Sequence, residues 1–135
     1  MKKQVEEWLN YAKIDLLTVN KLLEDDKLTQ SAAFHVQQAV EKTFKALIEN
    51  MNIRVPKVHD LEKLLGIILE NGITIKTNVE MITMLNDIYI ETRYPGDQGL
   101  VPDGIPSIEF IKKGHSFAEE LFNEIYEKLK NELAV

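Results

Sequence analysis

The sequence predicts an all-α protein, an up-and-down antiparallel bundle of four to five helices. Apolar residues recur at steps of three and four in five separate stretches, the spacing of one helix face. Short connectors rich in Pro, Gly, Asn and Ser separate these stretches, and short connections make consecutive helices antiparallel neighbours. The chain has 135 residues, 44% of them hydrophobic and 28% charged, which suits one domain, 1–135, with a core of its own.

The first helix is expected over 3–24, where Val5, Leu9, Ala12, Leu16, Val19 and Leu23 form the stripe. Glu24-Asp25-Asp26 reads as its solvated end. Thr29 or Ser31 caps a second helix over 30–51, with Ala32, Val36, Ala39, Val40, Thr43, Leu47 and Ile48 inward. The small side chains of Ala32, Ala33 and Ala39 allow close packing. A connector over 52–58 holds Pro56. The third helix starts near His59-Asp60, carries Leu61, Leu64, Leu65, Ile68 and Leu69, and ends at Asn71-Gly72. Ile73-Thr74-Ile75 alternates like a strand, but a lone strand has nothing to pair with, so a loop is expected.

Thr77 or Asn78 caps a fourth helix through 91, with Met81, Ile82, Leu85, Ile88 and Tyr89 inward. RYPGDQGLVPDGIP, from Arg93 to Pro106, holds six of the ten Gly and Pro residues of the chain. An aperiodic loop of that length is commonly functional. Ser107 caps the last helix, 108–133, whose stripe is Ile111, Phe117, Ala118, Leu121, Ile125 and Leu129. Gly114 inside it costs about 1 kcal/mol of helix propensity, which points to a close helix approach or a bend. Trp8, Ile14 and Leu22 on the first helix and Phe110 and Phe122 on the last suggest a second apolar face. Its simplest partner is another copy of the chain, a homodimer.

Composition narrows the function. With 16 Lys and Arg against 22 Asp and Glu the net charge is −6, which argues against general nucleic-acid binding and against DNA in particular. The charge is uneven: residues 1–60 carry nine basic and nine acidic groups, and 61–135 carry seven and thirteen. An anionic ligand is therefore expected at the second helix and Arg93. The absence of cysteine excludes disulfides, thiol catalysis, zinc fingers and iron–sulfur ligation. Met1 leads directly into a charged helical pattern, without a signal-peptide or membrane-spanning run, so a cytoplasmic protein without membrane contact is expected.

Several polar groups are candidates for chemistry. His35, Gln38, Lys42 and Lys45 lie on one face of the second helix, with Glu41 placed to pair with Lys45 at i,i+4. The strip reads either as a phosphate- or base-binding surface or as a solvated face with salt bridges. His59 and Asp60 are either a general base with its orienting carboxylate or a helix start with a favourable dipole interaction. Arg54 and His59 have a spacing that can clamp phosphate and move a proton. Arg93 offers a planar fork of donors to phosphate or to the end of the fourth helix, and Tyr94 a ring for stacking or for covering the core. Asp97 and Asp103 are a poor metal signature, the histidines at 35, 59 and 115 lack zinc spacing, and no metal site is expected. His115 is expected to face solvent.

Four segments together resemble the HEPN family, the higher eukaryotes and prokaryotes nucleotide-binding domain. They are AKIDL at 12–16, FHVQQAVEKTFKALI at 34–48, VHDLEKLL at 58–65 and TRYPG at 92–96. The block from Gln37 to Ala46 is the most specific, and the resemblance spans residues 8–130. It implies a four- to five-helix HEPN-like bundle, commonly a homodimer, encoded beside or fused to a small nucleotidyltransferase and in some cases part of a toxin–antitoxin pair. Many toxin members are metal-independent ribonucleases that carry Arg-x(4–6)-His near the start of the final helix.

In this chain no histidine follows Arg93 at that spacing, and Arg54 and His59 have it elsewhere. The resemblance thus implies a nucleotide- or partner-binding module that is not an enzyme by itself. Arg93, Lys42 and Lys45 would neutralise phosphates, Tyr94 would stack on the base, Gln38 would bond sugar or base, and Asp60 would orient His59. No cofactor is required, and a nucleotide such as ATP is the expected ligand. The alternatives are a ribonuclease acting on RNA, with Arg54 and His59 catalytic, and a structural dimerisation module without ligand.

Overall fold

The computed structural model describes residues 1–93 and 106–132. Five α-helices follow one another: α1 (Lys3–Leu22), α2 (Thr29–Asn50), α3 (Leu61–Glu70), α4 (Val79–Arg93) and α5 (Ile108–Glu132). No strand occurs among the described residues, and residues 73–75 are a loop as expected. No helix among them is long and apolar enough to cross a membrane.

α2 is the central element and packs against every other helix. Fourteen of its 22 residues are buried, about twice the share buried in α1 or α5. Ala32, Ala33, Ala39 and Ala46 let its neighbours approach, and Val36, Val40, Phe44, Leu47 and Ile48 fill the space between them. α1 contributes Val5, Leu9, Ala12, Leu16 and Val19, and α5 contributes Ile111, Ala118, Leu121, Phe122, Ile125 and Leu129.

Three of the five helix starts carry a side-chain cap. Asp60 caps α3 through the N–H groups of Glu62 and Lys63, Asn78 caps α4 through Met81, and Ser107 caps α5 through Phe110. Gly72 closes α3 at φ +80°, where the Ile73 N–H reaches back to the Ile68 carbonyl. α1 and α2 start without a side-chain cap. Asp25 accepts from the Lys27 N–H and starts a 3₁₀ turn over Asp26–Leu28 that runs straight into α2, so neither Thr29 nor Ser31 is its cap. The acidic cluster after α1 is thus partly a folded turn. At the other end of α2, the Lys2 ammonium donates to the Glu49 carbonyl (2.9 Å) and to Asn52 (2.6 Å), a cation at a helix C-terminus.

Three expectations about faces are corrected. Phe122 is buried, with the Lys13 ammonium 5.6 Å from its ring centre, so it belongs to the core edge. Trp8, Leu22 and Phe110 are partly buried against the core, and the exposed apolar stripe of α1 is Tyr11, Ile14 and Leu17. His115 is also buried: its Nε2 donates to the Leu16 carbonyl (3.2 Å) and its Nδ1 lies 3.2 Å from Glu119, tying α5 to α1. A carbonyl in mid-helix with a spare lone pair is a partner that no spacing in the sequence reveals.

Gly114 serves close approach. A Cβ there would stand 3.2 Å from a Val36 methyl and 3.7 Å from Leu85, where α5, α2 and α4 meet. Val36 is buried and β-branched, so its methyl has little room to yield. Gly114→Leu should therefore lower stability by about 1–3 kcal/mol, the usual range for overpacking, as read from the urea midpoint. An unchanged midpoint would show that the contact is slack.

Candidate functional site

The polar face of α2 meets α1 along a seam where two carboxylates are buried. Asp15, within the apolar stripe of α1, is 5% exposed. It accepts from Lys42 Nζ at 2.7 Å and from His35 Nδ1 at 2.9 Å. Glu41 is 3% exposed and accepts from Lys45 Nζ at 3.0 Å through one oxygen. Its other oxygen accepts from His59 Nδ1 at 3.0 Å and, at longer range, from the amides of Gln38 (3.3 Å) and Gln37 (3.4 Å). Gln37 has no exposed surface. Its amide donates to the His59 carbonyl at 3.0 Å, and its oxygen accepts from Gln38 at 2.8 Å. Each carboxylate thus holds one lysine and one histidine.

Aromatic rings of α1 complete both pairs. Lys45 Nζ lies 5.5 Å from the Trp8 ring centre and Lys42 Nζ 5.9 Å from that of Tyr11. Moving an ammonium out of water is costly, and a carboxylate on one side with a ring face on the other offsets that cost. The two lysines named as phosphate ligands are therefore already neutralised. What the strip presents outward is hydrogen-bonding and aromatic surface: His59, whose side chain is 55% exposed, His35 at 29%, Gln38 and Tyr11. With Nδ1 of each histidine donating to a carboxylate, its tautomer and ring orientation are set.

Gln38, Lys42, Lys45 and His59 are brought together. Asp60 is not part of that group. The carboxylate on His59 Nδ1 is Glu41, while Asp60 caps α3 and accepts from Asn86 of α4 at 2.8 Å. Asn86 also accepts from the Leu61 N–H at 2.8 Å, so one amide fastens α4 to the start of α3. Its donation, together with the two backbone N–H groups, holds the Asp60 carboxyl below its usual pKa. Arg54 is exposed and forms no ion pair among the described residues. Arg93 is the last residue of α4, but its side chain lies outside the described residues, as do Tyr94, Asp97 and Asp103. No group of three or more His, Asp or Glu among the described residues could hold a metal ion.

Asp15, Gln37 and Asn86 were not among the candidates. Asp15 had a signal, a carboxylate three residues after Ala12 and four before Val19 on the buried stripe. Gln37 opens the run that carries the family resemblance, but nothing in the sequence marked it or Asn86 as buried or bridging, because an amide is equally common on a solvated face.

The order and packing of these helices agree with a match to the HEPN domain over residues 5–131. The chain belongs to the HEPN domain family. This HEPN protein is accordingly a helical module of the nucleotide-binding or ribonuclease type. Its fold is shared by a solved structure, the crystal structure of TT1696 from Thermus thermophilus, at 22% identity and a TM-score of 0.70. The likeness covers 94% of this chain and 99% of the other. No curated protein matches the chain in sequence.

Two predictions test the seam. Glu41→Ala leaves the buried Lys45 ammonium unpaired and should cost about 3–5 kcal/mol, whereas Glu41→Leu with Lys45→Met should recover most of it. Urea unfolding measures both, and a loss below about 1 kcal/mol for the single variant would contradict the pairing. The lowered pKa of Asp60 gives stability that is present above the unfolded-state value near 3.9 and is lost as pH falls through the folded-state value. Asp60→Asn keeps a capping oxygen but cannot titrate. Its urea midpoint should therefore fall less than that of wild type as the buffer is taken from pH 5 to pH 2.5.

Proposed function

We propose that this HEPN protein is a nucleotide- or partner-binding module that acts with a small nucleotidyltransferase, as one half of a toxin–antitoxin pair, and is not an enzyme by itself. The observation that carries this reading is the charge-compensated polar face of α2. Its lysines, histidines and glutamines are held by two buried carboxylates before any partner arrives. Side chains already ordered lose little entropy on docking, and a face without free charge suits a protein surface better than a phosphate chain. The neighbouring stripe of Tyr11, Ile14 and Leu17, each more than half exposed, supports a homodimer.

One observation favours ribonuclease activity as a second reading. His59 is solvent-accessible with Nδ1 held by a carboxylate, as a general base would be, and the exposed Arg54 is on the same connector. Against it, His115, the histidine that follows Arg93 in sequence, is buried and engaged by Leu16 and Glu119.

Three measurements on the purified full chain separate these readings. Calorimetric titration with ATP should give saturable heat. Co-expression with a small nucleotidyltransferase from the same genome should give one co-eluting complex, and incubation with RNA should leave it intact. Absence of heat together with separate elution overturns the proposal. RNA cleavage that disappears in His59→Ala would establish the ribonuclease in its place.

A further inference from the structure

A cleft of about 790 Å³ lies between the start of α4 and the outer flank of α5, lined by no residue of α1 or α2. That volume is in the range of sites for small ligands, about 300–1,000 Å³. Three lysines line it: Lys76 just before α4, and Lys112 and Lys113 in the second turn of α5. All three are exposed, and none forms an ion pair among the described residues. This contrasts with Lys42 and Lys45 on α2, whose charges are spent on Asp15 and Glu41. Free positive charge has thus been placed on the acidic half of the chain.

The rest of the lining is graded. Met81, Phe117 and Leu121 give an apolar floor, with Phe117 partly open and the other two buried. Asn78, the cap of α4, also borders the cleft, so the positive end of a 15-residue helix adds to the field there. Two carboxylates oppose it. Glu124 accepts from the Lys76 backbone N–H at 3.0 Å, which fixes the connector against α5, and Glu120 is exposed at the rim. Three ammonium groups against two carboxylates leave a modest positive excess.

We propose that this cleft holds the nucleotide: a nucleoside di- or triphosphate whose base lies on Phe117 and Met81 and whose phosphates meet Lys76, Lys112 and Lys113. The assignment rests on the nucleotide-binding reading above and moves the phosphate contacts from α2 to α5. The polar face of α2 is then left to the protein partner.

Calorimetry on the full chain tests it, with ATP, AMP and inorganic tripolyphosphate as probes. ATP should bind at least tenfold more tightly than AMP and than tripolyphosphate, since either lacks one half of the contacts. Lys112→Glu with Lys113→Glu should weaken ATP at least tenfold, and Lys76→Glu should weaken it less. These side chains are exposed, and an unchanged circular dichroism spectrum would verify folding. Lys3→Glu, an exposed lysine of α1 outside both the cleft and the α2 strip, should leave ATP affinity unchanged. If ATP binds wild type and the double variant equally, the cleft assignment falls and the nucleotide-binding reading stands. If wild type binds no ATP, both fall. Tripolyphosphate binding as tightly as ATP would remove the base contact from the proposal.

Discussion

Glu41 is the group on which the rest of the arrangement depends. A carboxylate with 3% exposure cannot be left to water, so it must collect donors from the protein. It takes them from its own helix, Lys45, Gln37 and Gln38, and from His59 on the connector to α3. The His59 contact, backed by Gln37 on the His59 carbonyl, fixes where the chain turns after α2. That turn sets Asp60 at the start of α3, and Asp60 in turn meets Asn86 of α4. A single buried charge on the central helix thus orders a chain of polar contacts through two further helices.

Asp15 does the same work from α1, further along the same seam. It recruits Lys42 and His35 across the helix interface, and the rings of Tyr11 and Trp8 cover the two ammonium groups. Burial of charge of this kind adds little net stability compared with an apolar replacement, because desolvation consumes most of the Coulomb energy. Its effect is specificity of register: α1 and α2 can slide past one another only by breaking the Asp15 contacts to Lys42 and His35. The functional consequence is a strip that is polar and rigid but electrostatically quiet. Unpaired lysines are left for the flank of α5 and the connector before α4.

The helices and most caps were readable because each depends on neighbours in sequence. Periodicity at three and four residues, Asn71-Gly72, Asn78 and Ser107 all act within one turn. The start of α2 was misplaced for the opposite reason. A 3₁₀ turn carried by Asp25 leads the chain into the helix and removes the need for a hydroxyl cap, which the Thr29 hydroxyl, buried and unpartnered, does not supply. The Glu41–Lys45 pair was legible as an i,i+4 spacing, but its depth was not. The exposure expected of His115 failed because the Leu16 carbonyl, 99 residues away, is its partner.

By itself the sequence determined an all-α bundle, its helix order, its family and the residues of the α2 strip. These follow from local spacing and from a short run of characteristic residues, from Gln37 to Ala46. Only the tertiary structure decided which lysines are spent and which are free. Charge composition counts Lys42 and Lys112 alike, but Lys42 faces a buried aspartate from another helix while Lys112 borders an open cleft. The availability of a charge depends on what the fold brings within about 4 Å of it, and that distance is set by helices far apart in the chain.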